Sequence, residues 1–335
     1  MLLTYFIYHK TKTITLIHEG ITPEIAEGLK ILRERIKEIP SSKLDETINI
    51  ASWNIREFGK EQRTDAAIHY IAEILSNFDL IAIVELRENL SDLSRVMKIL
   101  GPYWKVIFSD IIMDSGGNQE RIAYLYDKRA AVFTGLAAES DPIRTKDEKS
   151  GEYLPTITWW RSPYMASFAA GRFDFVLLAA HIRWGKDENE RIKELQLLAD
   201  WIDKRSKSKF VEDKDIIVMG DFNIPSLESD LFKAITSRGL EIPESLVGVH
   251  GTNLAKDKRY DQILHYRRYT STSKSTGGVA DYYQNDWRAL FPQDQYPDMT
   301  QEKFTFQMSD HLPLWMQLDL RTEGEELDQI IGAKN

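Results

Sequence analysis

Apolar positions along this chain recur with two different periods. Between Thr22 and Pro40, the residues Ile25, Leu29, Leu32 and Ile36 fall three or four apart, the spacing of one helical face. Thr22 suits the N-cap, Pro23 the first turn, and Pro40 a terminator. Residues 13–17 read as a short strand ahead of this helix and 41–47 as a polar linker behind it. From Ile48 onward the pattern changes to short apolar runs. Residues 48–53, 80–84, 104–108, 121–126, 131–136, 156–161, 165–170, 173–180, 216–219 and 314–318 predict strands. Helical spacing covers 62–77, 90–100 and 187–205, the last with Ile192, Leu195, Leu198 and Trp201 turned inward. Residues 138–151 read as a charged loop, 270–278 as a mobile Ser/Thr/Lys/Gly-rich loop, and 281–303 as aromatic and irregular. Helices recurring after every two or three strands predict an α/β (α+β) fold of four layers, two packed sheets with helices outside. The chain divides into an extension (1–46), a main domain (47–321) and an acidic tail (322–335).

Composition narrows the chemistry. With 42% hydrophobic and 28% charged residues over 335 positions, the chain supports a large core. It has no cysteine, which excludes disulfides, thiolate zinc sites, iron–sulfur clusters and a cysteine nucleophile. No clear signal peptide is recognisable, so a cytoplasmic location is favoured over a secreted one, and no run approaches the roughly 20 apolar residues of a membrane span. A net charge of −9 argues against a broad basic footprint for nucleic acid. A local rim remains open to Arg56, Arg87, Arg121, Arg183, Lys186, Arg267 and Arg268.

Candidate chemistry sits at the ends of the apolar runs. Asn54 follows the first, and Glu85 follows the second, where a carboxylate either pairs with Arg87 or binds a cation. Glu120 precedes a strand, His181 ends one, and Gly220-Asp221-Phe222-Asn223 ends another. In that last motif the glycine allows a tight turn or close approach, and alternation along an extended segment puts Asp221 and Asn223 on one side. Asp261 opens an apolar strand, and Ser309-Asp310-His311-Leu312-Pro313 precedes the last one. Carboxylate and amide oxygens suit a hard cation, and imidazoles suit proton transfer.

These motifs, in this order over residues 48–320, resemble the endonuclease/exonuclease/phosphatase superfamily, the DNase I-like fold. The resemblance implies a DNase I-like four-layer sandwich and a Mg²⁺-dependent hydrolase, with Mn²⁺ or Ca²⁺ able to substitute or assist. By position it implies Glu85 as the main metal ligand with Asn54 and Asp310. Asp221 and Asn223 would position water and phosphate, and His311–Asp261 and His181–Glu120 would be acid–imidazole pairs. Arg87, Asn223 and His181 would contact the phosphate. Having both His181 and Glu120, and Arg87 two residues after Glu85, is similar to the DNase I and cytolethal distending toxin side. Val84 and Gln262 depart from residues often found there, and Gln262 removes a positive charge.

The expected activity is therefore DNA phosphodiester cleavage by in-line water attack. His311 would act as base and His181 as acid, with Asp221 a competing base. Trp53 and Trp184 could pack against sugar or base, although core packing is the favoured reading for Trp53. A phospholipid, phosphoinositide or small phosphoester is the competing substrate class, and a lipid enzyme would expose the aromatic pair Trp159-Trp160 or Tyr282-Tyr283 with Trp287. An inactive binding module on the same fold is the third possibility.

Overall fold

The computed structural model describes residues 20–112, 118–141, 144–155, 159–211, 213–272, 274–320 and 331. The expected strand at 13–17, the acidic tail apart from residue 331, and residues 156–158 lie outside them.

The first helix, α1 (Pro23–Arg35), starts as its sequence requires, with the Thr22 hydroxyl accepting from Ile25 N–H at 3.4 Å. It ends at Arg35, well before Pro40. The elements β1 (Thr47–Phe58), α2 (Asp65–Leu75), β2 (Leu80–Leu86), α3 (Ser91–Leu100), β3 (Trp104–Phe108) and β4 (Arg121–Asp127) follow. Next come β5 (Val132–Glu139), the small hairpin β6 (Arg144–Lys146) and β7 (Tyr153–Pro155), then β8 (Tyr164–Ala170), β9 (Phe173–His181) and α4 (Glu188–Lys207). The chain closes with β10 (Ile216–Asp221), α5 (Asp230–Thr236), α6 (Glu244–Val247), β11 (Asp261–His265), β12 (Thr276–Val279), α7 (Gln301–Gln307) and β13 (Leu314–Asp319).

One sheet has the order β12-β13-β1-β2-β4-β3 and the other β11-β10-β9-β8-β5. Strand alternation builds the layers. Ile48 and Ile50 of β1, Ala82 and Val84 of β2, Leu177 and Ala179 of β9 and Ile217 and Met219 of β10 fill the space between the sheets. Their neighbours Ala51, Trp53, Ile81 and Ile83 pack outward under α1, α2 and α3. Val176, Leu178, Ile216 and Val218 pack under α4 and α5. Each sheet contains one parallel pair, β1 with β2 and β9 with β10, joined by the crossovers that carry α2 and α4.

Four expectations change. Residues 276–279 are an edge strand paired with β13 rather than loop. Gly277 is required there, because an added Cβ would meet Leu246 at 2.6 Å and the Trp315 carbonyl at 2.9 Å. The 138–151 loop contains the end of β5 and strand β6, and Trp159 to Arg161 is irregular rather than strand. Tyr282 and Tyr283 are buried, so that pair belongs to the core and forms no exposed aromatic hairpin.

Candidate active site

Both parallel pairs end at the same edge of the sandwich, and that edge carries the polar residues. Asp221, the last residue of β10, is in register with His181 of β9 on one side and with Asp261 of β11 on the other. Gly220 makes this pairing possible: it has φ +133, and an added Cβ would lie 2.0 Å from the Ala180 carbonyl oxygen. The glycine therefore serves close strand contact beside His181. Asn223 does not continue an extended segment. It takes φ +52, and its N–H donates to Asp221 Oδ1 at 2.9 Å. Asn tolerates this left-handed conformation better than most residues. Its side-chain amide donates to the Ile182 carbonyl at 2.7 Å.

Two acid–imidazole pairs converge on Asp221. His181 Nδ1 lies 2.7 Å from Glu120 Oε2, and His311 Nδ1 lies 2.8 Å from Asp261 Oδ2. The far nitrogens, His181 Nε2 and His311 Nε2, both lie 3.7 Å from Asp221 Oδ2. Burial pushes the His311 imidazole down, but the Asp261 and Asp221 charges, the bond to Asp261 and the Asp310 charge hold it well above its ordinary value. For His181, burial and the Arg161 charge push down, while Glu120 and Asp221 push up and prevail. Burial pushes the Glu120 carboxyl up, yet His181, Arg161 and Asn118 hold it at about 2.

Arg161, for which the sequence carries no signal, is a buried partner of this pair. Its Nε lies 2.9 Å from Glu120 Oε2 and its Nη2 donates to Oε1 at 3.1 Å. The depressed Glu120 carboxyl has a consequence for folding. Its folded value of about 2 lies below the ordinary 4.5, so its contribution is full above pH 4.5 and is lost as pH falls through 2. Stability measured by urea midpoint should fall across that window by on the order of 3 kcal/mol from this group. Glu120→Gln should start lower at pH 7, with Arg161 left unpaired, and should lack this part of the acid limb.

At the other sheet, Asn54 and Glu85 lie within strands β1 and β2 rather than beyond their ends. Asn54 Nδ2 donates to Glu85 Oε1 at 2.9 Å and to Asp221 Oδ2 at 3.0 Å. Glu85 Oε2 accepts from the Glu57 N–H at 2.8 Å, and Glu85 Oε1 lies 3.9 Å from His181 Nε2. Glu85 has φ +63, a strained conformation for a long side chain and a common mark of functional positions. Arg87 does not take up this carboxylate; its guanidinium lies 3.8 Å from Glu57 and 3.7 Å from Glu88. Asp310 is half-buried in the 309–311 turn, where its carbonyl accepts from the Leu254 N–H at 3.1 Å.

Among the described residues, no three His, Asp or Glu side chains cluster as a ready-made metal cage. The donor set nevertheless fits a hard cation held partly by water. Asn54 Oδ1 is buried with no hydrogen-bond partner, and Glu85 supplies a carboxylate beside it.

Ser309 sets the turn that carries His311. Its hydroxyl donates to the Asn54 carbonyl at 2.6 Å and accepts from the His311 N–H at 3.0 Å. Trp53 is fully buried and donates its indole N–H to the His311 carbonyl at 2.9 Å, so it is a core residue. Trp184 is 67% exposed. Its ring meets Tyr260 edge-on at 5.8 Å, and Tyr260 lies 5.8 Å from the His311 ring, forming an aromatic ledge beside the site. Much of the expected basic rim is already paired: Arg121 with Asp110, Arg183 with Glu190 and Arg267 with Glu241. Arg56 lies over the Phe306 ring at 3.8 Å, and Arg268 stands 4.8 Å from the rings of Tyr266 and Tyr269.

Residues 51–311 match the family described as Endonuclease/Exonuclease/phosphatase family. No curated protein matches the sequence. Among solved structures, TDP2 from D. rerio, complexed with a single-strand DNA product, is similar with a TM-score of 0.54 and 15% identity, covering 81% of this chain and 98% of that one. A mannosyl-6-phosphatase from Bacteroides thetaiotaomicron VPI-5482 gives 0.52 and 18%, covering 80% and 98%. The human Nocturnin catalytic domain with bound sulfate gives 0.52 and 14%, covering 82% and 94%. At these identities the likeness establishes the fold.

Proposed function

This chain belongs to the endonuclease/exonuclease/phosphatase family, whose members are hydrolases of phosphoesters that generally use divalent metal ions, and from that premise we propose that it cleaves phosphodiester bonds in DNA with Mg²⁺. The observation that carries the chemistry is the single Asp221 oxygen set 3.7 Å from two imidazoles, each backed by its own carboxylate. Glu85, Asn54 and Asp310 would hold the cation, which when bound supplies positive charge to the phosphate. Asp221 Oδ2 takes the proton of the attacking water. His181 and His311, held protonated by their acids, donate to the phosphoryl and leaving oxygens as these gain charge. Asn54, through its amide N–H groups, keeps the Glu85 and Asp221 carboxylates apart and aimed into the site. The raised imidazoles favour Asp221, the competing base of the sequence analysis, over His311.

DNA is favoured by the exposed ring of Trp184. It offers a stacking face for the base next to the scissile phosphate, with the Arg191 guanidinium 5.7 Å from the same ring. A second reading, a small phosphoester, is favoured by the pairing of rim arginines with acids and by the net charge of −9. Trp184→Ala separates the two. On a short single-stranded DNA it should raise KM about tenfold, the worth of one stacked base, with kcat nearly unchanged. On a sugar phosphate it should change neither. Faster wild-type turnover of the sugar phosphate than of DNA, unaffected by Trp184→Ala, would replace the first reading with the second.

A further inference from the structure

Helix α1 precedes the residues matched to the family, which begin at 51. Its apolar face packs into the outer core through Ile25, Leu29 and Leu32, and Arg33 pairs with Glu73 of α2 at 2.7 Å. Gly28 lies so close to α2 that an added Cβ would meet the Tyr70 hydroxyl at 1.9 Å. Those contacts explain docking. They do not explain why Arg35, the last residue of the helix, is turned inward with its side chain only 7% exposed.

Arg35 directs its guanidinium at one segment, 282–286, where Nη2 lies 3.5 Å from the Asp286 carboxylate and the other contacts are to backbone. Nη1 donates to the Tyr282 carbonyl at 3.0 Å and the Tyr283 carbonyl at 3.1 Å, and Nη2 to the Asp286 carbonyl at 2.9 Å. The Tyr282 side chain is fully buried, packs edge-on against Trp53 at 5.7 Å, and points its hydroxyl at the site. That hydroxyl is 3.0 Å from both the Ser309 and His311 carbonyls, to which it donates. The turn carrying Asp310 and His311 is thus gripped from two sides. The core strand β1 holds it through Asn54, Trp53 and the Ser309 hydroxyl. From the other side, Arg35 fixes the segment from which Tyr282 reaches the turn.

We propose that α1 is a working part of the active site, in which Arg35 acts as a positioning residue that sets the 309–311 turn through Tyr282. The inference rests on the reading of His311 as a functional group, since it concerns the same site. A guanidinium suits the task because its planar fork reaches three carbonyls at once, which an ammonium cannot. The expected effect comes through geometry: misplacing a reacting group by about 1 Å can cost on the order of a hundredfold in rate.

Two disabling variants, one conservative variant and two readouts test this. Arg35→Ala removes the grip at its source, and Tyr282→Phe removes only the hydroxyl bridge while keeping the ring. In both, hydrogen exchange of the Trp53 indole N–H, read by NMR, should accelerate at least tenfold, while the Val218 amide in the central strand keeps its protection. On a short single-stranded DNA with Mg²⁺, kcat should fall at least tenfold with KM held within about twofold, and Arg35→Lys should recover part of the loss. Unchanged Trp53 exchange in both variants overturns the proposal, whatever the activity. Loss of protection at Val218 as well reduces α1 to a stabilising element and also overturns it. Accelerated Trp53 exchange with wild-type kcat overturns the positioning role. The exchange measurement needs no turnover, so an inactive wild-type protein would fail the functional reading and leave this proposal decided by the Trp53 signal.

Discussion

His181→Ala and His311→Ala should each lower kcat for DNA cleavage by about 10²- to 10⁴-fold, the usual range for a lost proton-transfer group. The loss should not come from unfolding. Each ring is held by one carboxylate, His181 at the end of β9 and His311 in the turn before β13, and the layers behind them are filled by the apolar clusters of β9, β10 and β13. The two variants should differ in one informative respect. With bis(p-nitrophenyl) phosphate the leaving phenolate needs no proton, so the imidazole that serves the leaving oxygen becomes dispensable. One variant should therefore recover most of its rate on that substrate, and the other should stay slow. If both recover fully, neither imidazole acts on the phosphoryl oxygens. If each loses less than about tenfold on DNA, the two pairs are structural and the proposed chemistry fails.

Asp221→Asn should be nearly as damaging, lowering kcat on the order of 10³-fold. Its Oδ1 accepts from the Asn223 N–H and its Oδ2 from Asn54 Nδ2, so an amide of the same shape can keep only some of this order. The loss arises from charge and basicity. The Asp221 charge raises both imidazoles, so removing it should lower the pH at which His181 and His311 titrate, as followed by the ring C–H signals in NMR. A rate loss without movement of either imidazole would show that Asp221 does not act on them. Movement of both with little rate loss would return the role of base to His311.

The layers of the fold were legible because strand alternation and helix spacing are local properties. The runs containing Ile48 and Ile50, or Leu195 and Leu198, declare their faces without any partner. The short edge strand at 276–279 was not legible. Glycines disfavour strands, and Gly277 is there because Leu246 and the Trp315 carbonyl leave no space for a side chain. The polar residues at the strand ends could be picked out because a charge after several apolar residues needs a partner.

Their mutual arrangement could not be seen, because it depends on register. Asp221 faces His181 and Asp261 only because β10 pairs in parallel with β9 and antiparallel with β11. Arg161 follows two tryptophans in an irregular segment, and nothing in its neighbourhood in the sequence points to Glu120, 41 residues away. Asn223 was misplaced for a different reason. Alternation assumes an extended chain, and the Asp221 carboxylate bends this one by capturing the Asn223 N–H. Arg35 and Tyr282 are separated by 247 residues, and their link to His311 runs through backbone carbonyls that carry no sequence signal.

Glu85 and Asn54 would hold a divalent cation at a phosphoester-cleaving site. The most direct measurement follows cleavage of a short single-stranded DNA by the wild-type chain with Mg²⁺, with EDTA, and by Glu85→Gln with Mg²⁺, alongside Mg²⁺ binding by calorimetry. The predicted result is cleavage by the wild type that EDTA abolishes, a loss on the order of 10³-fold in Glu85→Gln, and weaker Mg²⁺ binding by that variant. Cleavage that survives EDTA, or a Glu85→Gln chain that binds Mg²⁺ and cuts DNA like the wild type, would contradict it.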